Sequence, residues 1–186
     1  MDCFFIHIPK CAGHSVRKAI TGKSFEWQHQ TPVCYRKHFG ARFDAGFKFV
    51  VVRHPYDRWV SAYYYLMQHT KESPAWRSNR DDQAFLQQFP SMEAALLQAG
   101  KKLKETVLVF HPLSRWFEPP IVYDLVLRHE HLERDWPWLM QRFGFKPLPL
   151  LNTSQHVPAD ELLTAPMRAE LQRLYAEDFT LFGWPI

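Results

Sequence analysis

Near its N-terminus the chain reads Cys3-Phe-Phe-Ile-His-Ile-Pro-Lys-Cys-Ala-Gly-His-Ser15, where a short apolar run passes into a loop that contains a glycine. The run from Cys3 to Ile8 is typical of a buried strand, and Pro9 ends it. Gly13 lies in the loop, and residues from His14 to about Ile20 have the pattern of a helix. A strand, a loop and a helix in this order predict the start of an α/β fold.

A second segment of the same kind follows. Phe47–Arg53 is an apolar, β-branched run ended by Pro55, and it predicts another buried strand. Behind it, apolar side chains recur at helical spacing and predict one buried helix face. They are Trp59, Tyr63, Leu66 and Met67. The alternation predicts a three-layer α/β fold with a central, mainly parallel sheet, in a single domain spanning residues 1–186.

The remaining elements are predicted from weaker patterns. We expect a polar loop over residues 71–82 and strands at Thr106–Phe110 and Ile121–Leu127. The further predicted helices cover about residues 82–89, 91–100, 130–143 and 166–179.

The composition is that of a soluble globular protein with a small positive charge. The 186 residues carry a formal charge of +4, which suits an anionic ligand. No run of 18 apolar residues occurs, so no membrane span is expected. Cys3, Cys11 and Cys34 have neither disulfide-framework nor zinc-site spacing. The odd number of cysteines favours a reducing compartment, so we expect a cytoplasmic protein.

The Pro9–Ser15 loop has the features of an anion site. Backbone N–H groups at a helix start bind anions, Gly13 permits close approach, Ser15 offers a hydroxyl and Lys10 a charge. The common nucleotide loop, G-x-x-x-x-G-K-[ST], has its lysine after the glycines, whereas Lys10 precedes Gly13. A Mg²⁺-dependent kinase or NTPase is therefore disfavoured. A plain strand–helix connection with a solvated lysine remains equally open for this loop alone.

The Val52–Tyr63 segment is a second candidate for anion binding. Arg53 closes a predicted strand, and Ser61 follows about one turn into the next helix. Ligands of open α/β sheets gather at the carboxyl ends of strands, so Arg53 and Ser15 should lie at the same edge. A guanidinium fork with a hydroxyl can hold a phosphate monoester. Pairing of Arg53 with Asp57, which would only brace the turn, is an equally open alternative.

Together these segments resemble the carbohydrate sulfotransferases of the heparan and chondroitin type, the sulfotransferase 2 family. His7–Ser15 matches a loop that reads H-I-P-K-T-A/G-G-T-S, and Val52–Tyr63 matches V-R-D-P-Y-x-R-x-x-S-x-Y. Tyr123–Asp135 resembles V-D-x-V-x-R-x-E-x-L-x-x-D. Leu151–Ser154 and Tyr175–Trp184 are similar to L-N-x-S and to Y-x-x-D-x-x-x-F-G-Y. The likeness extends over nearly the whole chain.

The resemblance implies a sulfuryl donor, 3′-phosphoadenosine 5′-phosphosulfate (PAPS), with 3′-phosphoadenosine 5′-phosphate (PAP) as product and a hydroxyl-bearing acceptor, a saccharide or glycan. It implies a P-loop-like loop for the 5′-phosphosulfate and an Arg–Ser pair for the 3′-phosphate. The membrane anchor of the animal enzymes has no match here, which implies a soluble, bacterial-like member. The donor-binding residues carried over are Lys10, Cys11, Ala12, Gly13, His14, Ser15, Arg53, Ser61 and Ser154.

This chain departs from the family pattern at a few positions. Cys11 and His14 replace small or hydroxyl residues of the loop, so side-chain contacts to the donor are lost there while the backbone cradle is kept. His54 replaces an aspartate, which leaves the charge partner of Arg53 in doubt.

The reaction needs a base for the acceptor hydroxyl and a positive charge for the leaving phosphate. In the resembled family a histidine precedes a short T-A-x-x segment shortly before the second strand. His38, followed by Phe39-Gly40-Ala41, occupies that place and is the predicted base, with His14 as the next candidate. Lys10 is the predicted stabiliser of the leaving group. The histidines and glutamates of residues 129–133 lack H-E-x-x-H, so no metal is assigned.

Two other functions remain open. A non-catalytic module that binds a phosphoadenosine nucleotide would use the same loops, but it would not need both Lys10 and His38. A nucleic-acid-binding domain would fit the basic charge and the aromatic share, yet the sequence has no concentrated basic patch and no recognisable reader motif. We therefore expect an enzyme with no nucleic-acid partner.

Overall fold

In the computed structural model the described residues are 2–22, 29–68, 76–118, 121–149 and 157–185. They fall into two compact units. The sheet unit comprises Met1–His54 and Leu113–Thr153, and the helical unit comprises Pro55–Pro112 and Ser154–Ile186. The expectation that residues 1–186 form a single domain stays a prediction.

The sheet unit contains a three-stranded parallel sheet in the order β1-β2-β3. Its strands are β1 (Cys3–Ile6), β2 (Phe47–Val52) and β3 (Leu125–Arg128), and its helices are α1 (Gly13–Thr21), α2 (Pro32–Phe39), α3 (Ala41–Ala45) and, later in the chain, a helix at Leu132–Phe143. Cys3 pairs with Phe47, and Val52 pairs with Arg128. Because all strands run the same way, their carboxyl ends meet at one edge.

The sheet carries helices on both faces. Phe4 contacts Phe39 of α2, with the ring centroids 5.2 Å apart. Phe5, its neighbour in β1, points to the opposite face and packs on Phe49, which in turn contacts Trp136 of the Leu132–Phe143 helix. Phe49 is fully buried, as expected for a strand covered on both sides. The predicted α/β class with a parallel sheet is confirmed.

The helical unit contains α4 (Pro55–Met67), α5 (Trp76–Leu86), α6 (Met92–Thr106), α8 (Ala159–Leu162), α9 (Ala165–Leu174) and α10 (Ala176–Phe182), so the Leu132–Phe143 helix is α7. Two side-chain bonds tie α6 and the 3₁₀ turn that follows it to the end of α9. The Lys104 ammonium donates to the carbonyl of Leu174, and the Tyr175 hydroxyl donates to the carbonyl of Phe110 at 2.7 Å. None of the described helices is both long and apolar enough to cross a membrane.

Several local predictions were wrong. Thr106–Phe110 is not a strand: α6 continues to Thr106, and a 3₁₀ turn follows at Leu108–Phe110, because the amide of Val107 donates back to Leu103. The third strand is shorter than predicted, and α5 begins inside the predicted polar loop. The last helix is two helices that meet at Tyr175.

Helix α2 was also missed. Pro32 occupies its first turn, a position that favours proline, and this was the available signal. His38, which was expected in a loop, lies on this helix.

Candidate active site

The Pro9–Ser15 loop leaves the carboxyl end of β1 and enters α1 through two left-handed residues. Lys10 has φ 65° and Ala12 has φ 57°, values that cost energy for residues other than glycine. Ala12 is the N-cap of α1 and makes no side-chain capping bond. The first amides of α1 therefore have no intrahelical partner and no side-chain cap, which is the arrangement that binds an anion at a helix start.

Gly13 is required by a neighbour inside the protein. A Cβ atom at this position would lie 1.7 Å from Nε2 of His7, so no larger residue fits without displacing that ring. His7 directly follows the strand and is 2% exposed. The sequence analysis explained Gly13 by the close approach of a ligand. In the structure the imidazole of His7 packs against Gly13 from inside the protein.

Two further histidines surround His7. The ring centroids of His7 and His29 are 4.3 Å apart, and those of His7 and His14 are 5.7 Å apart. Nδ1 of His29 lies 3.4 Å from the carbonyl oxygen of His7. That oxygen can only accept, so Nδ1 carries the proton and Nε2 of His29 keeps its lone pair. His29 also has a left-handed backbone, with φ 62°.

The imidazoles are held in the neutral form. Burial, reinforced by the charges of neighbouring cationic groups, places the pKa of His7 well below its usual range. Burial lowers the pKa of His29 to about 4, although its bond to the His7 carbonyl opposes the shift. Partial burial and the charges of Lys10 and Arg17 lower the pKa of His14. Lys10 and Arg17 are thus fixed positive charges beside these neutral rings.

Arg53 follows β2 and reaches the same loop. Its Nη1 donates to the carbonyl oxygen of Lys10 at 3.5 Å, which brings Arg53 to this loop, while the predicted proximity of Arg53 to Ser15 stays a prediction. His129 follows β3, and burial together with the charge of Arg53 lowers its pKa to about 4. Glu130 accepts a hydrogen bond from the backbone N–H of His54 at 2.6 Å.

The other predicted site residues lie in different surroundings. His38 is exposed on α2 with its ring against Phe39, at a centroid distance of 4.6 Å. Cys11 is buried, and its thiol donates to the carbonyl of Pro9. Ser61 is buried on α4 in the helical unit. Ser154 lies outside the described residues.

Sequence reasoning missed His29. The family pattern that suggested His38, a histidine shortly before a T-A-x-x segment, is matched only in part at His29, where Thr31 follows but Pro32 replaces the alanine. The sequence pattern gave no reason to choose His29, because only folding brings it to the loop, across 22 positions from His7.

No group of three or more His, Cys, Asp or Glu side chains within residues 2–22, 29–68, 76–118, 121–149 and 157–185 is arranged to hold a metal ion. A comparison with protein families decides the assignment, because the model of the sulfotransferase family matches residues 2–185. The chain belongs to the sulfotransferase family. Transfer of a sulfuryl group to an acceptor is the reaction that this membership supports. No curated protein and no solved structure matches the chain.

The packing of His7 under Gly13 predicts an energetic coupling in this sulfotransferase. Gly13→Ala forces a Cβ into the His7 ring and should destabilise the fold by about 2 kcal/mol or more. His7→Ala removes the obstacle, so the double variant should be more stable than the sum of the two single changes by at least about 1 kcal/mol. Urea unfolding of all four proteins measures the coupling.

Gly144→Ala provides the control, since a Cβ at that position has nothing within 4 Å and the cost of its positive φ does not involve His7. Its effect should add to that of His7→Ala. Equal coupling in both pairs would show that the His7–Gly13 contact has no special weight.

The lowered histidine pKa values predict loss of stability in acid. The unfolded chain takes up protons near pH 6.5, whereas folded His29 and His129 do so only near pH 4. The folded state thus binds fewer protons in this window, and the free energy of unfolding should fall as pH drops from about 6.5 to 4. Each histidine contributes a slope of at most about 1.4 kcal/mol per pH unit.

Urea unfolding at several pH values between 7.5 and 4.5 measures this slope. His29→Asn should make it shallower, and Gln30→Asn, a neighbouring change without a titrating group, should leave it as it is. An identical slope in the parent protein and His29→Asn would refute the assignment.

Proposed function

We propose that this sulfotransferase transfers the sulfuryl group of PAPS to a hydroxyl of a saccharide acceptor and releases PAP. The bond between sulfur and the 5′-phosphate oxygen breaks, a bond from sulfur to the acceptor oxygen forms, and the hydroxyl proton passes to a base. The observation that carries the proposal is the contact of Arg53 with the Pro9–Ser15 loop, which joins a helix N-terminus and two cationic side chains at one sheet edge. The saccharide rests on the resemblance to heparan and chondroitin sulfotransferases.

The loop suits the 5′-phosphosulfate. Backbone N–H groups of Gly13, His14 and Ser15 lie at the start of α1 and can donate hydrogen bonds to the oxygens of the 5′-phosphosulfate. Lys10 supplies the charge that offsets the negative charge developing on the leaving phosphate. With that charge supplied by the protein, the proposal requires no metal ion.

Arg53 suits the 3′-phosphate. Its guanidinium is partly buried and can offer two parallel N–H donors to a phosphate monoester. Ser61 and Ser154 stay predictions from the sequence as further donors to this group.

A histidine is the proposed general base, and the geometry favours His29 over His38. Three observations support His29: its ring lies 4.3 Å from that of His7 beneath the loop, its Nδ1 bond leaves Nε2 as an acceptor, and its backbone is strained. His38, the choice from the sequence, is exposed on α2 and remains the alternative base.

A cytoplasmic location belongs to the same proposal. All three cysteines lie in the described residues and are thiols, which is typical of a reducing compartment.

The donor assignment predicts low-micromolar or tighter binding of PAP without Mg²⁺. AMP, which lacks only the 3′-phosphate, should bind much more weakly. Arg53→Ala removes the guanidinium fork and should cost roughly 2 kcal/mol in PAP binding, with a far smaller effect on AMP. Calorimetry measures all four affinities.

Release of PAP from ³⁵S-labelled PAPS only when a sugar acceptor is added would distinguish the enzyme from a non-catalytic nucleotide-binding module. Equal affinities for PAP and AMP in the wild-type protein would contradict the donor assignment.

The assignment of the base predicts a difference among three histidine variants. General base catalysis contributes about 10²–10⁴-fold, so His29→Ala should lower kcat by that factor with PAP affinity nearly unchanged. His38→Ala and His14→Ala should retain most of kcat. The acidic limb of the pH–kcat/KM profile, which reports protonation of His29 near pH 4, should be absent in His29→Ala. Loss of kcat in His38→Ala with activity kept in His29→Ala would return the assignment to His38.

A further inference from the structure

A carboxylate occupies the cationic edge of the sheet. Glu130 lies just beyond β3, near Arg53 and His129, where an acidic group opposes anion binding by simple charge repulsion. Although the Glu130 side chain is exposed, its Oε1 accepts a hydrogen bond from the backbone N–H of His54 at 2.6 Å. His54 is the residue directly after Arg53.

The register of the sheet explains how Glu130 reaches this amide. Val52 pairs with Arg128, so Arg53 and His129 leave the sheet side by side, and Glu130 reaches back across to the chain after β2. A bond from an amide to a carboxylate is charge-assisted and stronger than one to a neutral carbonyl.

The opposite end of the same strand pair is built in the same way. Asp124 precedes β3, and its Oδ2 accepts from the backbone N–H of Lys48 at 2.7 Å, while its own N–H donates to the Lys48 carbonyl at 2.9 Å. Carboxylates before and after β3 therefore hold the backbone of the β2 segment at both ends. This repetition indicates that Glu130 acts on backbone position.

We propose that Glu130 is a positioning residue whose hydrogen bond to the His54 amide holds Arg53 in the orientation that binds a phosphate monoester. The identity of that anion, the 3′-phosphate of the donor, rests on the proposed function. The negative charge of Glu130 thus promotes anion binding through geometry although it opposes it through Coulomb repulsion.

Two variants separate charge repulsion from backbone positioning, because the two effects change PAP affinity in opposite directions. Glu130→Gln removes the charge but keeps an oxygen acceptor, so it should bind PAP as tightly as the wild type or more tightly. Glu130→Ala removes both, and loss of positioning should weaken PAP binding about 3- to 30-fold. Glu133→Ala makes the same change in net charge at an exposed position of α7 and serves as the control.

The affinities for PAP and AMP are measured by calorimetry on the full chain, and the exchange rate of the His54 amide hydrogen is measured on the same proteins. Melting temperatures check that each variant is folded. We expect Glu130→Ala to reduce the preference for PAP over AMP and to speed exchange at His54, and Glu130→Gln to do neither. Tighter PAP binding by Glu130→Ala, or equal effects of Ala and Gln, would overturn the inference.

Failure of the wild type to bind PAP would overturn the proposed function instead, and the exchange data would then decide on the backbone role alone. Unchanged exchange at His54 in Glu130→Ala would refute that role whatever the ligand.

Discussion

Parallel pairing of the three strands is the constraint on which the candidate site depends. Because β1, β2 and β3 run in one direction, the segments that follow them emerge at one edge. The register then fixes which residues become neighbours: Lys10 beside Arg53, and Arg53 beside His129. A slip of one residue in either pair would turn alternate side chains to the wrong face. The chemistry at this edge is therefore set by backbone hydrogen bonds several residues away.

Positive charge is concentrated at this edge with limited mutual repulsion. Lys10, Arg17 and Arg53 carry fixed charges, whereas the buried imidazoles of His7 and His29 stay neutral because burial disfavours their protonated forms. Neutral rings can pack against a cationic loop at little electrostatic cost. His7 therefore packs against Gly13 of the loop as a neutral ring, and His29 retains an unprotonated ring nitrogen.

The parts of this fold that the sequence predicts are those with local signals. The apolar runs of β1 and β2 and the glycine at the start of α1 are local signals, and the structure has these elements where they were predicted. Thr106–Phe110 has the β-branched composition of a strand, but α6 extends to Thr106 and a 3₁₀ turn follows at Leu108–Phe110, so the context overrides intrinsic preference. His29 is brought to the loop by contacts across 22 positions, which no local pattern contains. The hydrogen bond from His54 to Glu130 spans 76 positions and is likewise invisible in the sequence.

The left-handed backbone at Lys10, Ala12 and His29 has a consequence for engineering. Each position stores conformational energy, of order 1–3 kcal/mol, that a glycine would not. A selection for thermostability alone would therefore favour glycine at these three places. With the roles proposed for Lys10 and His29, such changes at those two positions would raise stability and lower turnover. Substitutions meant to raise the melting temperature are better placed on exposed helix surfaces away from these three positions.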